Sequence, residues 1–183
     1  MLGDEFGELL AGARAGDEDA FAALWREVQP GLLRYLRVVD SSGAEDIAAE
    51  TWVNVTRGLG RFSGHEGGFR AWVFTIARRR LLDAHRAAGR RPRASEDERG
   101  LSEIAGGDDP AHLLQQDLST ERALALIAAL PPDQAEVVAL RGVADLDVDQ
   151  VAKLVRKRPG TVRVLAHRGL RRLAEILGDR REL

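Results

Sequence analysis

The residues with the clearest chemical potential lie in the last third of the chain. From Arg156 to Arg172 there are seven Lys or Arg residues and no acid across seventeen positions. Cations at that density, with nothing nearby to neutralise them, suit contact with nucleic-acid phosphates. Their spacing agrees. Val162, Leu165, Ala166, Leu170 and Leu173 recur at helical intervals, leaving Arg163, Arg168, Arg171 and Arg172 largely outward. Just upstream, Asp147 can accept from the backbone amide of Gln150 while Gln150 reaches back, a capping box that starts a short helix. Val148, Val151, Ala152 and Val155 then share one face, and Arg156-Lys157-Arg158 forms a basic turn. A short apolar helix, a turn and a basic helix over 148–167 is the arrangement of a helix-turn-helix, whose second helix enters the major groove. A solvated basic helix is the plainer alternative, and the lack of any compensating acid argues against it.

A second group of cations lies between residues 69 and 86. Phe69, Trp72, Val73 and Ile76 give that helix its buried face. Arg70, Arg78, Arg79, Arg80 and Arg86 fall elsewhere, with Phe74 among them, beside the glycine-rich loop Phe62-Ser-Gly-His-Glu-Gly-Gly68. Cations interleaved with an aromatic suit unpaired DNA, whose bases leave the stack and insert into pockets. Trp72 reads as core, and Phe74 as either core or a stacking platform.

A third group, Glu45, Asp46 and Glu50, clusters on one helix and could suggest a metal site. A di-metal bundle needs matching Glu and Glu-x-x-His motifs on other helices. His65, His85, His112 and His167 supply no such spacing, so no metal ligand is assigned and the acids read as a solvated or partner-docking face. No phosphate-cradling loop, nucleophile elbow or Cys/His constellation is present, and there is no cysteine at all. No catalytic residue, cofactor or enzyme activity is expected.

These groups must be positioned by helices. Ala, Leu, Arg and Glu dominate and aromatics are scarce, which favours an all-α chain. The net charge of −2 hides a segregated layout. Residues 1–50 carry eleven acids and four bases, 70–93 eight arginines against Asp83, and 95–121 eight acids against Arg99. Two separated basic surfaces fit two separate contacts with DNA. Helical spacing predicts elements at 4–13, from Asp17 to Val39 with Pro30 interrupting or restarting the helix, at 44–58, and at 69–88. On the third of these, Ile47, Trp52 and Val53 are expected inward, with Val55 and Leu59 as further candidates. Residues 89–110 lose periodicity and read as a flexible linker. Helices near 111–129, 132–141, 147–155 and 159–177 follow. The expected architecture is therefore two small helical domains, an N-terminal bundle over 1–88 and a helix-turn-helix domain over 111–183. No run is long and apolar enough for a membrane span, and no signal peptide is evident, so a cytoplasmic protein is expected.

With these pieces in place, the chain resembles the extracytoplasmic-function sigma factors, small bacterial transcription initiation factors, from Asp17 to Leu177. Ala44-Glu-Asp-Ile-Ala-Ala-Glu-Thr-Trp52 is similar to the family's core-polymerase-binding helix, and Phe69 to Arg86 to its −10 melting segment. Leu130-Pro-Pro-Asp-Gln-Ala-Glu-Val-Val-Ala-Leu-Arg141 resembles the entry to its fourth region, and Gly160-Thr-Val-Arg163 the start of its recognition helix. The resemblance implies RNA polymerase core and promoter DNA as partners, with an anti-sigma factor as a further candidate and no membrane insertion. It implies docking on core through Asp46, Ile47, Glu50 and Trp52. His65, Phe74, Arg78, Arg79, Arg80, Asp83 and Arg86 would meet the −10 element. Arg156, Lys157, Arg158, Thr161, Arg163, His167 and Arg168 would meet the −35 element. A linker of about 22 residues reaches roughly 70 Å when extended, against roughly 58 Å between elements about 17 base pairs apart at about 3.4 Å per step.

Two departures bear on chemistry. Relatives commonly carry Gly, an apolar residue and Ser where this chain has Arg156, Lys157 and Arg158, so a capping oxygen is lost and cations oppose the helix dipole. A phosphate at that turn would offset the cost, which implies stronger backbone binding; a frayed turn is the competing reading. Arg79 stands where many relatives have Asn. Two rival functions remain on the residues alone: a free-standing helix-turn-helix regulator, and a metal-dependent hydrolase using Glu45, Asp46 and Glu50.

Overall fold

The computed structural model describes residues 2–89 and 120–179, and every regular element among them is helical. A 3-10 turn, Gly3–Glu5, leads into α1, Phe6–Arg14. Then come α2, Glu18–Val39; α3, Ala44–Gly58; a 3-10 turn, Leu59–Arg61; and α4, Glu66–Ala88. The C-terminal half holds α5 at 120–128, α6 (Pro132–Gly142), α7 (Val148–Val155) and α8 (Pro159–Asp179).

The starts of these helices follow from local chemistry. Asp17 caps α2 by accepting from the amides of Asp19 at 2.9 Å and Ala20 at 3.2 Å. Pro132 opens α6 at a position where a missing N–H costs nothing. The capping box of α7 is complete, with Gln150 N–H to Asp147 Oδ1 at 2.8 Å and Asp147 N–H to Gln150 Oε1 at 2.9 Å. Such a cap is worth about 1 kcal/mol.

Pro30 does not interrupt α2, which runs unbroken through it. The proline sits on the exposed side, where water can meet the carbonyl it leaves unpaired. Leu24, Val28, Leu32, Tyr35 and Leu36 are buried on the other side. Each contributes roughly 1.5–3 kcal/mol, together more than the roughly 3 kcal/mol an interior proline costs.

In the N-terminal half α1 packs on α2, and α3 packs on both α2 and α4. In the C-terminal half α6 and α7 pack on α8. The halves do not simply share a tether. Helix α6 lies on α2 and α7 on α4, so one apolar core runs through both. A Cβ at Gly31 would sit 3.3 Å from the Val143 carbonyl oxygen, so the absent side chain lets α2 approach the end of α6. The expected linker beyond Gly89 and the first part of the helix expected at 111–129 lie outside the described residues.

Candidate nucleic-acid interface

The helix-turn-helix forms over the segment the sequence singles out. Helix α7 buries Val151, Ala152, Leu154 and Val155, and Val162 buries the base of α8. The chain leaves α7 through Arg156, whose φ of +56° is a left-handed conformation that favours glycine. The Lys157 amide then reaches back to the Ala152 carbonyl at 3.0 Å, closing the helix end. Helix α8 begins at Pro159, and the Arg158 carbonyl accepts the Val162 amide at 3.1 Å. The fixed φ of Pro159 suits the first helical position and takes over part of the role of the missing cap.

Arg156, Arg158, Thr161, Arg163, His167 and Arg168 are all exposed. Lys157 is half-buried and pairs with Asp133 Oδ2 at 2.9 Å, tying the turn to α6. Two details of α8 differ from the expected stripe. Leu170 is 58% exposed, and the adjacent Gly169 faces α6 instead, where an added Cβ would lie 2.6 Å from Val138 Cγ2. Val164, which periodicity did not single out, is also exposed, beside Arg163 and Arg168 on the outward face. A methyl-bearing side chain there can meet a thymine methyl.

Helix α4 and its entry loop make the second basic surface. His65 caps α4, its Nδ1 accepting the Gly68 amide at 3.2 Å, and is exposed. The loop is pinned by aromatics, with Phe62 stacked on Trp72 at 5.0 Å and edge-on to Phe69 at 5.5 Å. Gly58 permits this, since a Cβ there would meet Trp72 Cζ2 at 2.8 Å. Trp72 is thus half-buried, whereas Phe74, placed among the arginines by sequence, is 1% exposed and packs on Tyr35. Helix α4 buries a wider face than one amphipathic stripe because α2 and the C-terminal half cover it as well. Phe74 is therefore core, and a base cannot stack on it in this conformation.

The arginines of α4 are largely engaged. Arg78 donates Nε to Glu136 Oε1 at 2.7 Å and Nη2 to Oε2 at 3.3 Å. Burial alone would lower the Arg78 pKa, but the Glu136 carboxylate outweighs it and holds it above its ordinary value. The Tyr35 hydroxyl also donates to Glu136 Oε1 at 3.3 Å, and burial, reinforced by that carboxylate, pushes the phenol well above its usual range. Arg70 joins Glu27 at 2.8 Å and Asp145 at 3.3 Å. Arg80 donates to Asn54 Oδ1 at 3.0 Å, and Asp83 pairs with Arg86 at 2.9 Å. Arg79 is exposed and makes no ion pair among the described residues. At the far end His85 meets Asp40 at 2.9 Å. Burial would raise Asp40, yet hydrogen bonds from His85 and Ser42 keep its carboxyl below the usual value.

On α3 the four residues expected to dock a partner separate into two kinds. Asp46 and Glu50 are exposed, one turn apart. Ile47 and Trp52 are 5% and 7% exposed, and the Trp52 indole donates to Gln29 Oε1 at 2.6 Å. These two hold α3 in place and present no surface. Val53, expected inward, is 47% exposed and continues the line of Asp46 and Glu50 at i+7. Glu45 is bound by Arg37 at 2.9 Å, and no three His, Cys, Asp or Glu side chains converge among the described residues.

Comparison with known proteins identifies the family. A family model for Sigma-70 region 2 matches residues 20–91, and one for Sigma-70 region 4 matches residues 120–173. The ECF RNA polymerase sigma factor SigD of Mycobacterium tuberculosis (strain ATCC 25618 / H37Rv) is 33% identical over 181 residues, covering 96% of this chain and 85% of SigD. BldN of Streptomyces coelicolor, also an ECF RNA polymerase sigma factor, is 32% identical over 174 residues, covering 94% of this chain. The match spans 66% of BldN. Among solved structures, CnrH in complex with the cytosolic domain of CnrY shares the fold, with a TM-score of 0.64 at 20% identity over 96% of this chain and 99% of that one.

Proposed function

The chain belongs to the extracytoplasmic-function RNA polymerase sigma factors, which direct transcription initiation, and from this we propose how its surfaces divide the task. The exposed line of Asp46, Glu50 and Val53 on α3 docks on RNA polymerase core, while Ile47 and Trp52 position that line from beneath. Helix α4, with Arg78, Arg79, Arg80 and Arg86 and the loop at His65, holds the opened −10 strand. Helices α7 and α8 read the −35 element, Arg163 through base edges and Arg156, Lys157 and Arg158 through phosphates. Residues 1–88 and 111–183 act as the two working units, and 89–110 as the connection between them.

The observation that carries this reading is the outward face of α8, where Thr161, Arg163, Val164, His167 and Arg168 stand exposed behind a capped helix and a basic turn. The family is not enzymatic, and this chain itself makes and breaks no bond. No helix among the described residues is long and apolar enough to cross a membrane, and the protein acts in the cytoplasm, where polymerase is found. CnrH, whose fold it shares, was solved in complex with the cytosolic domain of CnrY; an anti-sigma factor that binds this chain in a comparable way is a further partner.

The test is run-off transcription from the chain's own genomic promoters, with core polymerase plus or minus the protein. Initiation should depend on the protein. The double variant Asp46→Arg/Glu50→Arg should keep its helicity and lose at least tenfold in core affinity, since charge reversal at an interface costs several kcal/mol while exposed sites contribute about 0.5 kcal/mol to stability. Unchanged core affinity would remove α3 from the docking surface.

A further inference from the structure

The loop between α3 and α4 is held at both ends by the start of the chain. On its entry side Arg14, in the last turn of α1, donates Nε to the Leu59 carbonyl at 3.2 Å and Nη2 to the Phe62 carbonyl. On its exit side the Glu66 carboxylate accepts the backbone amides of Leu2 at 2.8 Å and Gly3 at 3.0 Å. Between these anchors Ser63, Gly64 and His65 stay exposed. Phe6 of α1 is buried against Phe69, with ring centroids 5.8 Å apart, and Phe69 in turn meets Phe62 edge-on.

We propose that Arg14 and Glu66 are positioning residues for −10 recognition: the N-terminal segment clamps the loop, so that Ser63, Gly64 and His65 form one preformed tip that reads a base of the opened strand. This rests on the role of the loop at His65 as a −10 contact.

The placement of the bonds favours such a clamp over the simple fastening of a chain end. Apolar packing already fastens α1, since Phe6 and Leu10 are buried and a Cβ at Gly12 would lie only 3.0 Å from Ala20 Cβ on α2. The polar bonds go elsewhere, to the loop. Arg14 is exposed, yet its guanidinium is committed to two loop carbonyls. The Phe62 carbonyl lies past the 3-10 turn, where the helical ladder offers it no amide. Glu66, in the first turn of α4, would favour the helix dipole in any rotamer. Its oxygens instead take amides 64 and 63 positions away.

The tip itself has a defined shape. Gly64 adopts φ +152°, which side chains rarely do, and a Cβ there would meet Phe62 Cζ at 3.2 Å. His65 Nδ1 accepts the Gly68 amide at 3.2 Å, which leaves the ring proton on Nε2. A base therefore meets the Nε2–H donor of His65, the Ser63 hydroxyl and a backbone that no side chain shields at Gly64. Held in one shape before binding, the tip loses little freedom when a base enters and tests it against fixed hydrogen-bond geometry. Released from its clamp, it would adapt to any base.

Amide exchange by NMR on the full chain tests the clamp, and holoenzyme tests its use. The variants are Arg14→Ala and, separately, Glu66→Gln, which keeps the side chain's size but sets an NH2 donor against one amide. Both should speed exchange of the hydrogen-bonded Phe62 and Gly68 amides at least about tenfold, with helicity and core affinity unchanged. In holoenzyme, single-stranded −10 oligonucleotides carrying each base at each position in turn should reveal one position whose preference His65→Ala abolishes. The clamp variants should lower that same preference about fivefold, because discrimination depends on fixed polar geometry, and leave the other −10 positions unchanged. Unchanged exchange in both variants would overturn the clamp. Faster exchange with an intact preference, or an equal loss at every position, would overturn the positioning role. If His65→Ala alters no preference, the reading of the loop fails and takes that role with it, while exchange still decides whether the clamp exists.

Discussion

The chain carries two arginine-rich surfaces, and they are kept in opposite states. On α4, Arg78 is sequestered by Glu136 and Arg70 by Glu27 and Asp145. Arg80 donates to Asn54, and Arg86 pairs with Asp83 on the surface. Arg79 is the exception, exposed without an ion pair among the described residues. On the helix-turn-helix, Arg156, Arg158, Arg163 and Arg168 are exposed without a paired acid among the described residues. The same residue type is therefore stored in one place and displayed in the other. Duplex reading, the role proposed for α8, needs a preformed convex helix. Holding an opened strand, the role proposed for α4, is useful only after melting, and a surface that bound single strands earlier would capture the wrong DNA.

The largest expected effect comes from breaking the stored side. Glu136→Ala leaves Arg78 and Tyr35 without their acceptor in a desolvated place, a loss of about 3 kcal/mol for the joined form. Calorimetry should show the single cooperative transition of the wild type moved to lower temperature in the variant, because one apolar core still runs through both halves. A single transition at the same temperature would mean that the polar cluster contributes little to cohesion, which would then rest on apolar packing near Gly31.

The displayed side should respond differently. Arg163→Ala should cost roughly 1–3 kcal/mol on the preferred −35 sequence and much less on variants of it, the mark of a base contact. Lys157→Ala should weaken all sequences alike and reduce the salt dependence by about one ion. Its pair with Asp133 is exposed enough to be worth less than about 1 kcal/mol, so Lys157 can exchange Asp133 for a phosphate. Fluorescence anisotropy of holoenzyme on matched promoter fragments measures both. Equal effects of the two substitutions on every sequence would erase the distinction between base and backbone contacts.

Much of this was legible in the sequence where local chemistry decides. The capping box at Asp147 and Gln150, the span of α3 and the helix-turn-helix follow from periodicity and capping, and the structure has them. What escaped is set by contacts distant in sequence. Tyr35 and Glu136 are 101 positions apart, and nothing in either neighbourhood marks them as partners. Phe74 falls among cations if α4 has a single buried stripe, whereas α4 is covered on two sides. Val53 and Trp25 fit apolar patterns, yet both stay largely exposed, and Trp52 with Val55 fills the space beneath α3. Periodicity identifies which faces are apolar. It does not say which half of the molecule covers them.

The smallest effect concerns the turn between α7 and α8, and it separates folding from binding at one residue. Arg156 adopts φ +56°, where a side chain other than glycine costs roughly 1–2 kcal/mol. Arg156→Gly removes that strain but also frees the unfolded chain, which returns roughly 0.5–1 kcal/mol to the unfolded state. The cation's favourable position at the C-terminal end of α7 is lost as well, worth a few tenths of a kcal/mol at an exposed site. The net should be a gain in stability of roughly 0.5 kcal/mol. Binding should move the other way, because the exposed guanidinium lies in the basic turn where phosphates are proposed to sit. Its loss should weaken promoter binding at every sequence and lower the salt slope by about one ion. Chemical denaturation and salt-dependent anisotropy on the same variant decide the matter together. A less stable variant with an unchanged salt slope would show that Arg156 serves the fold and not the DNA, and that the turn carries its strain for a reason other than phosphate contact.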